Sequence, residues 1–125
     1  MDIRGFVSGA FELDTAVRFV AVLDFQYNIV AMEQREGVPS LIPDEQTDRN
    51  MTLLIPRIMV EACQKFQTFF GEFESVSARY SKVLFTIYCV ENLMIVLSFE
   101  PEVGTPFLTK IGQELKELSN RYLVT

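Results

Sequence analysis

The chain has 125 residues, 49% of them hydrophobic, and a formal net charge of −6 at pH 7. This length and hydrophobic fraction predict one domain over residues 1–125 with a packed core, and they exclude a disordered chain. The acidic balance argues against nucleic acid or an anionic membrane surface as a partner, because binding to either depends on clustered Lys and Arg.

Residue types that support catalysis or metal binding are scarce. The chain has no His, and its only cysteines are Cys63 and Cys89. His is the commonest general base and metal ligand, and two thiols without His are too few for a structural zinc site. Both cysteines lie in apolar runs, which predicts buried, reduced thiols. We therefore expect no catalytic residue, no metal site and no cofactor.

Charged residues also interrupt the apolar positions near the N-terminus. They are Asp2, Arg4, Glu12 and Asp14. A signal peptide needs a longer uninterrupted apolar run, so a cytoplasmic location is expected.

The first third of the chain predicts a short helix and a β-hairpin. Apolar residues recur at helical spacing over residues 2–11. Residues 17–25 are rich in β-branched and aromatic side chains, which predicts a strand, and residues 29–35 predict its antiparallel neighbour. The turn between them includes Asn28, a residue type that tolerates positive φ.

A loop and a long amphipathic helix come next. Gly37, Pro39 and Pro43 predict a loop over residues 37–48, in which the acidic residues indicate a solvated helix start. From residue 48 to residue 70 the apolar positions follow a helical period, and Gly71 is a suitable end. Pro56 predicts a kink or the start of a second segment. The apolar positions are Met51, Leu54, Ile55, Ile58, Met59, Ala62, Cys63, Phe66, Phe69 and Phe70.

Three strands and a final helix are predicted in the rest of the chain. Residues 72–80 are polar enough for an exposed strand, whereas residues 83–90 and 93–99 are apolar on both faces and are joined by the turn at Glu91 and Asn92. Thr105 is a suitable N-cap for the last helix, with Pro106 in its first turn. The predicted fold class is therefore α+β, with a five-stranded, mostly antiparallel sheet, helices on both faces and the order α-β-β-α-β-β-β-α.

Three stretches carry a resemblance to a known family. They are "VRFVAVLD", "FQTFFGEFESV" and "ARYSKVLFTIY". Together with the element order they resemble the roadblock / dynein light chain superfamily, within the profilin-like group. The local sequence is more similar still to an uncharacterised archaeal family, a domain of unknown function. The similarity covers about residues 12–100.

The resemblance implies a non-enzymatic interaction module. Roadblock-like domains commonly dimerise by continuing the sheet across two subunits and packing their long helices together. They serve as scaffolds or regulators of small GTPases and motors. The implied partners are therefore a second copy of the chain and a small GTPase or another protein, with no nucleic acid and no membrane.

The predicted interface combines the exposed strand with the long helix. A strand at a sheet edge is a template for pairing with another chain. We expect Val76→Lys or Val76→Pro to weaken dimerisation without unfolding the monomer. The candidate interface residues are Leu54, Ile58, Glu61, Phe73, Val76, Ala78 and Tyr80.

Two other functional classes remain open at this point. Small domains of PAS, GAF or profilin type can hold a ligand between sheet and helices, although aromatic residues at these spacings are more often core. An enzyme using Asp24 and Glu91 is less favoured, because turn capping explains both carboxylates. Six aromatic residues could line a ligand pocket: Phe19, Phe66, Phe69, Phe85, Tyr88 and Phe99. Its polar candidates are Thr86, Tyr88 and Ser98.

Overall fold

A computed structural model describes residues 1–124. Its elements are α1 (Ile3–Glu12), β1 (Val17–Asp24), β2 (Ile29–Gln34), α2 (Glu45–Gln64), α3 (Gln67–Phe70), β3 (Ser75–Arg79), β4 (Leu84–Val90), β5 (Leu93–Phe99) and α4 (Thr105–Tyr122). This is the predicted order with one addition, the short helix α3.

The strands form one antiparallel sheet in the order β2-β1-β5-β4-β3. Helices α1 and α4 pack on one face, and α2 packs on the other. The predicted α+β class, with a five-stranded antiparallel sheet and helices on both faces, is confirmed. The order leaves β2 and β3 at the two edges.

The apolar hairpin of β4 and β5 contributes side chains to the hydrophobic clusters on both faces of the sheet. Successive side chains of a strand point to opposite faces. On β4, Leu84 and Tyr88 join the cluster under α1 and α4, whereas Ile87 joins the cluster under α2. The central strand β5 is buried on both faces because α1 and α4 cover one face of the sheet and α2 covers the other. The apolar character of this stretch is therefore that of a covered sheet.

The β1–β2 turn takes positive φ at a different residue from the one predicted. Tyr27 has φ of 62°, and Asn28 is not among the residues with positive φ. The carboxylate of Asp24 accepts hydrogen bonds from the backbone N–H groups of Gln26 and Asn28, at 2.9 and 3.0 Å, and from the Asn28 side chain. These bonds, those from Asn28 first, lower the pKa of Asp24.

Helix α2 differs from prediction at both ends. It begins at Glu45, because the Asp44 side chain caps it by accepting a hydrogen bond from the Thr47 N–H at 2.7 Å. It runs unbroken through Pro56, and the interruption falls at Lys65 and Phe66, before α3. The single helix predicted over residues 48–70 is therefore wrong at its C-terminal end.

Helix α4 has a different N-cap from the one predicted. Gly104 occupies the cap position, and Thr105 is the first helical residue. Pro106 still lies in the first turn, where its missing N–H has no helical partner to lose.

Most of the apolar residues at helical spacing over residues 48–70 face outward. The buried residues of α2 are Thr52, Pro56 and Val60. Six large apolar residues of the pattern are exposed: Met51, Leu54, Ile58, Phe66, Phe69 and Phe70. The helix therefore carries more apolar surface than its sheet covers.

Candidate protein interface

Strand β3 ends the sheet on one side. Within the part of the chain that the structure describes, it pairs with β4 alone. Its register runs without a shift from Ser75, opposite Tyr88, to Arg79, opposite Leu84. A regular, short edge strand of this kind can accept another strand.

The hydrogen bonds that flank β3 identify which backbone groups point outward. The Tyr80 N–H donates to the Val83 carbonyl at 2.8 Å, and the Cys89 N–H donates to the Glu74 carbonyl at 2.9 Å. In an antiparallel ladder, alternate residues bond to the same neighbour. Residues 74, 76, 78 and 80 therefore face β4. The N–H and C=O groups of Ser75, Ser77 and Arg79 point away from the sheet, and we call these groups the β3 edge.

The opposite edge is less regular. The register between β1 and β2 shifts between Val22 and Leu23. Such irregularities twist an edge strand and disfavour pairing with another chain. The β3 edge is therefore the better template for an added strand.

The outer surface of α2 carries an apolar stripe. Leu54 is 48% exposed and Ile58 is 60% exposed, and Met51 lies one turn before them. These three residues are spaced i, i+3 and i+7, so they share one face of the helix. We call them the α2 stripe.

The α2 stripe lies on the outer surface of the helix. Leu54 and Ile58 precede Glu61 by seven and three residues, so all three adjoin on one face. Helix α2 covers the sheet face against which Val76 and Phe73 pack, so the α2 stripe lies on the same side of the sheet as these side chains.

Polar residues of α2 next to the α2 stripe contact the β1–β2 turn. The Tyr27 hydroxyl donates a hydrogen bond of 2.9 Å to Oε1 of Glu61, and the Arg57 guanidinium lies 5.8 Å from the Tyr27 ring centre. Burial, and next the hydrogen bond to Glu61, raise the pKa of Tyr27. Polar contacts thus fix this side of the helix.

A group of phenylalanines precedes β3. Phe69 is 80% exposed and Phe70 is 82% exposed, and the Phe66 and Phe70 rings stack with centres 5.7 Å apart. We call these three residues the phenylalanine cluster. The apolar spacing predicts that one helix continues through residue 70 and includes them. The chain instead breaks at Lys65 and Phe66, and the three side chains are exposed.

The ends of β3 carry opposite charges. Glu72 and Glu74 precede the strand, whereas Arg79 ends it and Lys82 follows it. The Arg79 guanidinium donates to the carbonyls of Pro101 and Val103, which holds the strand end against the β5–α4 loop. Lys116 of α4 lies 3.9 Å from Glu74.

The structure places the predicted interface residues in three locations. Leu54 and Ile58 belong to the α2 stripe, while Glu61, which adjoins them on the helix, accepts a hydrogen bond from Tyr27. Val76 is half-buried against the α2-side core, together with Phe73. The Ala78 side chain is half-buried, and Tyr80 is exposed and stacks on Phe85. Their role in an interface stays a prediction.

The aromatic residues expected to line one ligand pocket do not meet. Phe19 and Phe85 line the cavity beneath α2, with Ser98. Phe99 and Tyr88 belong to the core on the other face of the sheet. The remaining two, Phe66 and Phe69, are exposed. The six residues therefore do not line one pocket, and four of them lie in or beside the core, as the spacing favoured.

The two cysteines are free and half-buried, where full burial was expected. Burial raises the pKa of Cys89 to about 11, so its thiol stays protonated at neutral pH. No group of three or more potential metal ligands occurs among residues 1–124. None of the helices within that range has the length and apolar content needed to span a bilayer.

Solved structures with the same architecture are roadblock/LC7 domains. No protein-family model matches the chain, and no curated protein matches its sequence. The roadblock/LC7 domain from Streptomyces avermitilis superposes with a TM-score of 0.73 at 13% identity, over 100% of both chains. The chain therefore has the roadblock/LC7 fold.

Among proteins of this fold, the chain is similar to MglB. The gliding protein MglB from Thermus thermophilus has a TM-score of 0.71 at 15% identity, over 94% of this chain and 87% of that one. An MglB with a tetrameric arrangement has a TM-score of 0.65 at 16% identity, over 93% and 88%. The resemblance to an archaeal family stays a prediction.

Proposed function

We propose that this chain is a single-domain, non-enzymatic interaction module of the cytoplasm that acts as a homodimer and regulates or scaffolds a further protein. The unpaired, regular β3 edge is the observation that carries the proposal, and the exposed α2 stripe supports it. Self-pairing covers the open edge and so removes a site at which other chains could add and aggregate.

The outward backbone groups define the register of the proposed dimer. Since the outward residues are Ser75, Ser77 and Arg79, an antiparallel pair with twofold symmetry centres on Ser77. Ser77 then pairs with Ser77 of the second copy, and Ser75 pairs with Arg79 of that copy. Each pair exchanges N–H and C=O groups, so every outward group of the strand gains a partner.

This register also matches the side chains. Val76 of one copy lies opposite Ala78 of the other in a non-hydrogen-bonded pair, where the Cα atoms approach to about 4.5 Å. The acidic start of each strand, at Glu72 and Glu74, meets the basic end of the other strand, at Arg79 and Lys82. Opposite charges across an interface fix orientation and favour antiparallel over parallel association.

The helices extend the interface above the sheet. Helix α2 covers the same sheet face in both copies, so pairing through the β3 edges puts the two helices on one face of the continued sheet, where we propose that their stripes meet. Antiparallel pairing also brings the phenylalanine cluster of each copy toward the Tyr80 end of the other strand. Burial of apolar surface contributes roughly 25 cal/mol per Å², so these side chains favour association.

The structural neighbours are consistent with this proposal. MglB occurs in a tetrameric arrangement, so one protein of this fold self-associates. The further partner that we propose is a small GTPase or another protein. The non-enzymatic character rests on the lack of His in the sequence and on the capping role of the turn carboxylate Asp24.

Solution mass tests the homodimer. We expect light scattering to give twice 14.3 kDa over a wide range of concentrations. Higher salt should weaken the association moderately, because the charged strand ends are screened. A mass of 14.3 kDa at every concentration contradicts the proposal.

Cysteine cross-linking tests the register. In a background with Cys63 and Cys89 replaced by Ala, we expect Ser77→Cys to form a disulfide-linked dimer on mild oxidation. Hydrogen-bonded antiparallel residues have Cα atoms about 5.5 Å apart, within disulfide range. Ser75→Cys is the matched control, since its two copies lie roughly 13 Å or more apart. Efficient linkage of Ser75→Cys but not Ser77→Cys contradicts this register.

A further inference from the structure

A cavity of about 160 Å³ lies between the sheet and the N-terminal half of α2. Its apolar walls come from the sheet and from the helix: Phe19, Phe85, Val96, Ile55 and Pro56. Leu41 and Met51 line it too, and both are exposed at the surface, so solvent and small molecules have a route in.

One polar side chain of α2 adjoins the cavity. Thr52 is 8% exposed and lines the cavity. Among residues 1–124, Ser119 Oγ is the buried polar side-chain atom that lacks a hydrogen-bond partner, so the Thr52 hydroxyl, which bonds to no residue in that range, reaches solvent. A ligand that displaces this solvent loses affinity unless it supplies a hydrogen bond of its own, which favours a ligand with a polar group.

The charged groups around the cavity disfavour an anion. The Arg18 guanidinium is already paired with Glu100 at 3.0 Å and donates to the Pro39 carbonyl at 3.2 Å. Asp48 also lines the cavity, and burial raises the pKa of its carboxyl. A carboxylate ligand would lie beside Asp48 without a free cation, so an uncharged ligand fits better.

The size and lining of the cavity define the ligand class. An engineered apolar cavity of about 150 Å³ holds one benzene molecule. The Phe19 and Phe85 rings suit an aromatic ligand through offset or edge contacts. We propose that the cavity beneath α2 binds a small, uncharged, single-ring aromatic molecule whose hydroxyl or N–H group bonds to Thr52.

Titration with phenol, monitored by amide NMR, tests the site. We expect saturable shifts at Thr52, Ile55 and Phe85, stronger binding of phenol than of toluene, and no binding of benzoate. In Thr52→Val, the affinity for phenol should fall about fivefold, the usual effect of one hydrogen bond, while the affinity for toluene is unchanged. If Thr52→Val lowered the affinities for phenol and toluene equally, the proposed hydrogen bond to the Thr52 hydroxyl would be contradicted.

A cavity-filling variant and its control complete the test. Ser98 lines the cavity and is half-buried on β5, so Ser98→Leu should abolish binding of both phenol and toluene. Ser8→Leu adds the same side chain at an exposed position of α1 and should bind both as the wild type does. If Ser98→Leu fails to fold, the positions of the amide shifts in the wild type and the affinities of Thr52→Val still test the site. Shifts confined to other surfaces, or no saturable binding, overturn the proposal.

The site does not depend on the homodimer. The titration is therefore repeated on Ser77→Pro, which is expected to be monomeric. Binding by both proteins supports the site whatever the oligomeric state, and binding by neither overturns it without bearing on the dimer.

Discussion

The hydroxyl of Tyr27 donates a hydrogen bond of 2.9 Å to Oε1 of Glu61. This bond joins the β1–β2 turn to α2, two elements separated by 34 residues in the sequence. Tyr27 holds φ at 62°, in a region that costs an L-residue roughly 1–2 kcal/mol. The contact with α2 and the Asp24 hydrogen bonds around the turn offset this strain.

Removal of the Tyr27 hydroxyl should loosen this attachment. We expect Tyr27→Phe to lower the free energy of unfolding by about 0.5–1 kcal/mol, because one partly exposed hydrogen bond is lost while the ring remains. Urea denaturation measures the change. Glu61→Gln keeps an acceptor oxygen at the same place, so it should lower the free energy of unfolding by less than Tyr27→Phe does. A larger loss in Glu61→Gln than in Tyr27→Phe would contradict this account.

Sequence patterns predicted the strands better than the outer surface of α2. The apolar runs of β4 and β5 specify strands buried on both faces, and the polar content of residues 72–80 indicated the edge position of β3. In α2 the apolar residues cover more than one side. Periodicity alone therefore cannot tell Val60, which is buried, from Ile58, which is exposed.

Two further features depend on tertiary contacts that no local pattern records. The break after Gln64 exposes the phenylalanine cluster, although its spacing continues the helical period. The cavity beneath α2 combines residues from four strands, a loop and a helix, such as Gln34, Ser40 and Thr52. Its position follows from the strand order, which sequence spacing does not determine.

Proline substitutions on neighbouring residues separate dimerisation from folding. The Ser77 N–H points away from the sheet, so Ser77→Pro removes an outward donor and leaves the backbone pairing with β4 intact. We expect a monomer that is less stable by about 1–3 kcal/mol, because the Ser77 hydroxyl lies 2.7 Å from that of the buried Thr86 and this bond is lost. Ser77→Ala loses the same bond but keeps the N–H, so it should stay dimeric. The Ala78 N–H faces β4, so Ala78→Pro should destabilise the monomer itself, by about 3 kcal/mol or less at this edge. Light scattering and urea denaturation measure the two effects.

The alternation in β3 also bears on substitutions of Val76. Val76 faces β4 through its backbone, so Val76→Pro would damage the monomer and is a poor test of the interface. Val76→Lys keeps the backbone bonds, and Val30→Lys on the opposite edge strand is its matched control. A dimer that survives both Ser77→Pro and Val76→Lys would exclude pairing through the β3 edge.

Substitutions at two nearby positions of α2 should affect different properties, dimerisation at Ile58 and folding stability at Val60. Ile58 is 60% exposed, so Ile58→Ser should leave monomer stability within about 0.5 kcal/mol but weaken the dimer by about 1 kcal/mol or more. Val60 is fully buried, so Val60→Ala should cost about 2 kcal/mol of folding free energy. Concentration-dependent light scattering and urea denaturation distinguish these outcomes. Unchanged dimerisation in Ile58→Ser would remove the α2 stripe from the interface.

Two carboxylates at the start of α2 should contribute to the pH dependence of stability with opposite signs. Asp44 accepts hydrogen bonds from the N–H and the hydroxyl of Thr47, at 2.7 and 2.8 Å, and these bonds lower its pKa below 3.8. A lowered pKa means that the carboxylate stabilises the fold above its unfolded pKa and loses this effect as the pH falls through the folded value. Asp48 behaves in the opposite way, because burial raises its pKa and its charge disfavours the fold.

Two variants measured from about pH 6 to about pH 2.5 test these signs. We expect Asp44→Ala to be less stable than the wild type at the upper end, with a difference that shrinks as the pH falls. Asp48→Asn should be more stable than the wild type at the upper end, and its advantage should also shrink as the wild-type carboxyl becomes protonated. Thermal unfolding at each pH measures both differences. If the Asp44→Ala deficit grows toward low pH, the Asp44 carboxylate does not stabilise the start of α2 through its charge.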